Sequence, residues 1–425
     1  MQKSIRSVGN SYRFFSNLVR EQSYYFERES IYGAHNYKPM PVVLKKGRGV
    51  YVWDTEGKQY LDFLSAYSAV NQGHCHPRLL KVLQKQAKEL TLTSRAFYNN
   101  KLGEYQEFMC KTFNYDKLLP MNTGVEAAET SVKLARRWAY AVKGVPENQA
   151  TILFPRGNFW GRSIGAISAS SDPTSYSNFG PYVPNFDKIE YNNINALEEK
   201  LSSNPYIAAY MMEPIQGEAG VIIPSLGYLK KVRELCDKYN VLMICDEIQT
   251  GLGRTGMLLA SNYENVKPDI LVLGKALSGG IMPVSAVLSS NEVMLTIKPG
   301  EHGSTYGGNP LGSALAIEAI KIIFDEKLSL NSFNMGYKFK NGLKDIQENK
   351  KIIKDVRGKG LMIAIEINDD KNKNIADSIC KKMLLNGLLA KTTHKTVIRL
   401  SPPLTINEKQ INKALDIIKK SLREY

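Results

Sequence analysis

The chain is 425 residues long, with 43% apolar and 23% charged residues. That length points to about three domains with ample core, and the composition excludes collagen-like, disordered and small disulfide-scaffold chains. No stretch reaches the roughly 18 uncharged apolar residues of a spanning helix, so no membrane partner is expected. Lys plus Arg number 56 against 41 Asp plus Glu, a net charge of +15. With no basic stripe beside exposed aromatics and no nucleic-acid motif, this reads as a solvated basic surface, not a nucleic-acid face. Five cysteines, an odd count without a C-x-x-C, fit free thiols in a reducing compartment. His74-Cys75-His76 is not read as a metal site, because adjacent residues diverge and no second ligand cluster is in view.

Residues 1–22 hold Lys3, Arg6, Arg13 and Arg20 with no acid before Glu21, and Ser4, Ser7, Ser11 and Ser16 interleave with apolar residues. This composition predicts a mitochondrial targeting presequence; a basic tail on a cytoplasmic protein is the alternative. Val50–Trp53 and Tyr60–Phe63 flank an Asp54–Gly57 turn and predict a hairpin. In Asn122–Val142, Thr123 and Glu126 form a capping box ahead of a long helix, with Gly124 in its first turn. Such a helix start suits a phosphate, although an ordinary capped helix has the same sequence. From Thr151 the apolar runs Thr151–Phe154, Tyr206–Met212, Val241–Cys245, Ile270–Leu273 and Val284–Leu288 alternate with amphipathic segments such as Tyr228–Tyr239. Runs apolar throughout are strands buried on both faces, so a mainly parallel sheet flanked by helices is predicted.

Within these segments lie the candidate chemical groups. Phe154–Ser163 offers Phe159 or Trp160 to stack on a planar ring and Arg162 to clamp a carboxylate. Asp246 ends one buried run and Lys275 follows the next, at a spacing that allows one excursion and a return strand. Both groups then emerge at the sheet edge where open α/β folds hold ligands. A desolvated lysine can form a Schiff base, and a carboxylate can keep a pyridinium nitrogen protonated. Gln249 is placed to reach another ring substituent. Taken singly, Asp246 reads as a turn cap and Lys275 as a snorkelling strand-end lysine. A P-loop NTPase reading fails for want of G-x-x-x-x-G-K-[ST]. GLGRTG (251–256) matches G-x-G-x-x-G, but it neither follows a strand directly nor opens a long helix. Leu311–Phe324 predicts a helix. Beyond Leu328 a Lys/Asn-rich region with a strand-like Met362–Ile367, an exposed loop at Asp369–Asn374 and a final helix from Asn407 reads as a smaller domain. Phosphate donors, an aromatic, a carboxylate and a strand-end lysine together describe a pyridoxal phosphate site.

From about Tyr32 to its end the chain resembles the class III (subgroup II) aminotransferases of pyridoxal phosphate fold type I. The likeness rests on EPIQGEAGV (213–221), DEIQTGLGRTG (246–256), LGKALSGG (273–280), NTGVEAAET (122–130), FWGR (159–162), STYGGNP (304–310) and RLSPPL (399–404). YGAHNY (32–37) and LSAYSAVNQG (64–73) resemble the ornithine-using branch; acetylornithine and 4-aminobutyrate branches usually lack that tyrosine pair and stand as the alternative. The resemblance implies δ-amino transfer from ornithine to 2-oxoglutarate. Lys275 would be the Schiff-base lysine and proton shuttle, with Asp246 on the pyridine nitrogen, Gln249 on the ring hydroxyl and Phe159 stacked on the ring. Gly124 and Val125 would hold the phosphate, joined by Thr305 from a partner subunit. Arg162 and Tyr37 would hold the ornithine α-carboxylate, Tyr67 would shape the pocket, and Glu218 would neutralise Arg399 until 2-oxoglutarate binds. It further implies a large domain (62–327) with a mostly parallel seven-stranded sheet, and a smaller α+β domain from both termini (23–61 and 328–425). A homodimer or higher homo-oligomer and a place in the mitochondrial matrix complete the expectation, with the cytoplasm as the alternative compartment.

Overall fold

The computed structural model describes residues 22–369 and 373–425. The expected presequence, up to residue 21, and the centre of the Asp369–Asn374 loop lie outside the described residues. Strands β1 (Leu44–Arg48), β2 (Tyr51–Asp54) and β3 (Gln59–Asp62) form an antiparallel meander that contains the predicted hairpin. Asp54 closes its turn, accepting from the Glu56 and Lys58 N–H groups at 3.0 and 2.9 Å.

Seven strands follow: β4 (Lys117–Met121), β5 (Thr151–Pro155), β6 (Phe186–Ile189), β7 (Ile207–Met212), β8 (Leu242–Asp246), β9 (Ile270–Leu273) and β10 (Ser285–Ser289). They form one sheet in the order β4-β10-β9-β8-β7-β5-β6. Only β10 runs against its neighbours. Its run of small and apolar residues carries no signal of direction. Strands β7, β8 and β9 are buried along their whole length, and alternate residues serve opposite faces. Ala209, Met211 and Ile244 pack with Ala128, Val132 and Leu134 of the helix Gly124–Trp138. Tyr210, Met212 and Met243 pack on the other side with Leu229, Val232 and Cys236 of the helix Tyr228–Lys238. All strands but β10 therefore end at one edge.

The C-terminal strands β11 (Ile353–Lys359), β12 (Met362–Ile367), β13 (Leu388–Leu389), β14 (Lys391–Thr393) and β15 (Val397–Leu400) divide between two small sheets. One has the order β11-β12-β15-β14; the other is the N-terminal meander, completed by β13 in parallel with β3. The final helix, Glu408–Ser421, starts on an Asn407 cap that is reciprocated by Gln410. The GLGRTG glycines make turns, with positive φ at Gly253 and Gly256. They seat Arg254, which is fully buried and donates to the Leu361 and Pro402 carbonyls at 3.0 and 2.6 Å and to Asn71 Oδ1 at 2.5 Å. The segment is thus a junction between the central sheet and the strands that carry Arg399.

Candidate active site

The shared strand edge gathers the expected groups. Thr123 and Gly124 follow β4, Phe159 and Arg162 follow β5, Glu213 and Glu218 follow β7, Asp246 ends β8, and Lys275 follows β9. Gly124, Val125, Phe159, Glu213, Glu218, Asp246, Gln249 and Lys275 line one cavity of about 150 Å³. It adjoins, through Phe159 and Glu218, a vestibule of about 630 Å³ that Arg162 also lines. At one wall the Thr123–Glu126 capping box is complete, with Thr123 Oγ1 accepting from the Glu126 N–H. The Gly124 and Val125 amides precede the helix's own hydrogen bonding and have no partner among the described residues. Gly161 holds this wall close: its φ is +146°, and a Cβ there would lie 2.3 Å from the Val125 side chain. Gly217 does the same for the opposite wall, where a Cβ would overlap Gln249 Oε1.

Electrostatically the cavity is a lysine among carboxyl groups. Burial lowers the Lys275 pKa, opposed by the negative charges of Asp246, Glu213 and Glu218. Lys275 sits in the left-handed region at φ +43°. Burial pushes Asp246 up to about 6, against the stabilising Ile248 N–H, which donates to Oδ1 at 2.9 Å. Glu213 is pushed up to about 8 by burial and then by Asp246, although Phe159 and Gly217 N–H groups donate to its two oxygens at 3.1 and 3.0 Å. A carboxyl with a raised folded-state pKa ionises more readily unfolded, so its contribution to stability is lost as pH rises. The cofactor-free protein is accordingly expected to melt at lower temperature as pH climbs from about 5 to about 8. Glu213→Gln should flatten that slope in a thermal-melt series. It should also lower the low-pH melting point, because the new amide N–H₂ faces a backbone donor and costs about 1–3 kcal/mol. An unchanged slope would remove Glu213 from this account.

Arg399 projects from β15, buried, and meets Glu218 two-pronged: Nη1 to Oε2 at 2.8 Å and Nη2 to Oε1 at 3.3 Å. Its guanidinium also lies 5.2 Å from the centre of the Tyr67 ring. Tyr67 is set there by an unusual backbone, since Ser65, Ala66, Tyr67 and Ser68 all have positive φ. Such a left-handed turn costs roughly 1–2 kcal/mol per residue. Asp62 stabilises it by accepting from the Leu64 and Ser65 N–H groups, while its other oxygen pairs with His74 at 2.7 Å. Gln249 donates to the Tyr67 carbonyl at 3.3 Å.

Five expected residues do not line the cavity: Tyr37, Tyr67, Arg162, Thr305 and Arg399, of which Arg399 reaches it through Glu218. Thr305 is exposed in the loop after Ser304, and Tyr37 is exposed near Lys391, 5.9 Å from its ring centre. Arg162 lines the vestibule alone, its Nη1 donating to Ser175 Oγ at 2.9 Å. Glu213 is a cavity residue that the sequence reading passed over. It opens EPIQGEAGV directly after the apolar run of β7, as Asp246 does after β8, and that parallel was the available signal. The donor set fits pyridoxal phosphate: free first-turn amides for a phosphate, an aromatic face, a buried carboxylate and a desolvated amine.

The family model for aminotransferase class-III matches residues 32–422. The mitochondrial ornithine aminotransferase of Drosophila melanogaster is 60% identical over 397 residues, 93% of this chain and 91% of that protein. The ornithine aminotransferase of Toxoplasma gondii superposes with a TM-score of 0.92 at 46% identity, covering 94% of each chain. The acetylornithine aminotransferase of Elizabethkingia anophelis does so with 0.88 at 51% identity, covering 95% of this chain and 99% of that one. The chain belongs to the class-III aminotransferases, a family of enzymes that move amino groups with pyridoxal phosphate.

Proposed function

We propose that the protein is an ornithine δ-aminotransferase. It passes the δ-amino group of ornithine to 2-oxoglutarate, yielding glutamate 5-semialdehyde, which cyclises to pyrroline-5-carboxylate, and glutamate. The observation that carries this reading is the Glu218–Arg399 pair facing Tyr67, with Arg162 left without a carboxylate partner among the described residues. Ornithine has one carboxylate and must present its distal amine, whereas 2-oxoglutarate has two. A site with one free and one masked arginine suits both in turn.

Pyridoxal phosphate, when bound, supplies the carbonyl that accepts an amino group and a ring that withdraws electrons. In our reading the Gly124 and Val125 amides would hold its phosphate, Phe159 its ring face, Asp246 the ring nitrogen and Gln249 the ring hydroxyl. Lys275 would anchor it and move the proton at the substrate's amine-bearing carbon through Nζ. The lowered pKa of that amine keeps more of it neutral and able to accept. Arg162 and Tyr37 would fix the ornithine carboxylate, with Tyr67 as the side wall. Arg399 would receive the α-carboxylate of 2-oxoglutarate once Glu218 lets go.

We further infer a homodimer at least, in which Thr305 completes the partner's phosphate site. Exposed Phe97, Tyr98 and Tyr306 support this as uncovered apolar surface. The division into 62–327 against 23–61 with 328–425 is supported by the pairing of β13 with β3. A place in the mitochondrial matrix is supported by the composition of residues 1–22 and by the mitochondrial name of the fly relative. Acetylornithine as amine donor is the second reading, favoured by the likeness to the Elizabethkingia enzyme. A panel of amine donors with 2-oxoglutarate as acceptor decides. Ornithine is expected to exceed acetylornithine and 4-aminobutyrate in kcat/KM by tenfold or more, on the order of the 1–3 kcal/mol that one pocket contact discriminates. The reverse ranking would replace this reading with the second.

A further inference from the structure

The vestibule that adjoins the cofactor cavity has a basic neighbour at its outer end. Through Thr392 and Lys395 it shares a wall with a third cavity of about 550 Å³, formed by the N-terminal segment, the helix Ile375–Leu385 and β14. That outer cleft is lined by Lys38, Lys373, Lys381, Lys391 and Lys395 and, among the described residues, by one carboxylate, Asp377, with Asp369 adjoining it as acceptor of the Lys373 N–H. Asp377 is already paired with Lys381 at 2.8 Å. Lys391 donates to the Lys38 carbonyl at 3.3 Å, and Lys38, Lys373 and Lys395 are exposed, their side chains with no acidic partner among the described residues. Moving inward, the vestibule adds Arg162. Its own acids are Asp172, which accepts from Thr174 and Ser175 and keeps its charge, and Glu218, which is paired with Arg399. Positive charge is thus in excess in the outer cleft and reaches the vestibule through Lys395 and Arg162, where Asp172 offsets one of these charges.

We propose that this outer cleft is a docking site for the dicarboxylate 2-oxo acid, which it concentrates at the mouth of the active site while disfavouring the cationic diamine. The inference rests on the proposed substrate pair, whose net charges at neutral pH are opposite in sign. A concave wall of one charge raises the local concentration of a counter-ion and lowers that of a co-ion. The effect acts on capture, so it resides in KM and leaves the saturated rate alone.

The test uses the cofactor-loaded enzyme and a Lys38→Gln/Lys373→Gln/Lys395→Asn variant; Asn is chosen because position 395 is left-handed at φ 61°. Two readouts are taken at low ionic strength: calorimetric affinity for glutarate, an unreactive dicarboxylate, and KM for each substrate. Glutarate affinity is expected to fall, and KM for 2-oxoglutarate to rise, by about three- to tenfold, with kcat unchanged and KM for ornithine unchanged or lower. In the unsubstituted enzyme, added salt should raise KM for 2-oxoglutarate alone, the contrast with the variant closing near the ionic strengths where screening lengths fall to about 3–8 Å. Equal glutarate affinity in the two proteins, or a salt response identical for both substrates, would overturn the proposal. Failure of the unsubstituted enzyme to use ornithine would instead strike the functional reading, since glutarate affinity reports on the cleft without it.

Discussion

Lys275→Ala is expected to lower turnover of ornithine with 2-oxoglutarate by about 10⁴-fold, the largest effect of any single change in this protein. General acid–base catalysis by a positioned side chain is worth about 10²–10⁴-fold. Here the same nitrogen would also anchor the cofactor, so the loss should reach the top of that range. Among the described residues no other amine lines the cavity to take its place. Folding should be little affected. Alanine at φ +43° is no more strained than lysine, and removal of the amine relieves a desolvation cost that Asp246 and Glu213 offset only in part. Hydride reduction followed by peptide mass mapping gives an independent readout. Cofactor mass should attach at position 275 in the unsubstituted enzyme and nowhere in the variant. Turnover within tenfold of normal in the variant, or an unlabelled Lys275 in an active enzyme, would sink the assignment.

The architecture was legible where burial is two-sided. Ile207–Met212, Leu242–Asp246 and Ile270–Leu273 are apolar from end to end because both faces are covered, and each lies within a residue of its expected run. The edge strands left no such trace. Lys117–Met121 contains Pro120 and starts on an exposed lysine, and Phe186–Ile189 has Asp187 and Lys188 at its centre. One face and one rim of an edge strand meet solvent, so its composition approaches that of a loop. The antiparallel direction of Ser285–Ser289 was equally silent, since a fully buried strand has the same composition in either direction.

At the site, legibility followed strand ends. Asp246 and Lys275 stand where apolar runs stop, and the Thr123–Glu126 box marks the first turn of its helix. The left-handed turn Ser65–Ser68 could not be anticipated, because none of its residues is glycine or asparagine and its support comes from Asp62, His74 and Gln249. Glu213 was hidden for a related reason. Its position on the sheet edge matters only once β7 is known to lie beside β8, and pairing partners are a property of the fold rather than of the local sequence.

Glu218→Ala is expected to redirect the enzyme rather than silence it. With the carboxylate gone, Arg399 would keep its place against Tyr67, 5.2 Å from the ring centre, but lose its two-pronged partner in a buried setting. An uncompensated buried guanidinium attracts the nearest available carboxylate, and removing one member of such a pair typically costs about 2–5 kcal/mol, much of it from the charge left unpaired. Ornithine can relieve that cost only by placing its α-carboxylate on Arg399, which brings its α-amine, not its δ-amine, to the cofactor side. The ratio of δ- to α-transamination products should therefore fall by about tenfold or more, since one such reoriented contact outweighs the 1.4 kcal/mol that a tenfold change requires. 2-Oxoglutarate should bind at least as well as before, because the arginine it needs is already free. Glu218→Gln provides the control: it keeps the shape and one hydrogen bond to Arg399 but not the charge, so its product ratio should move the same way by a smaller step. Product analysis that returns unchanged δ-selectivity in the alanine variant, with cofactor content intact, would show that Glu218 does not mask Arg399. The choice between the two ends of ornithine would then have to lie with Arg162 and Tyr37.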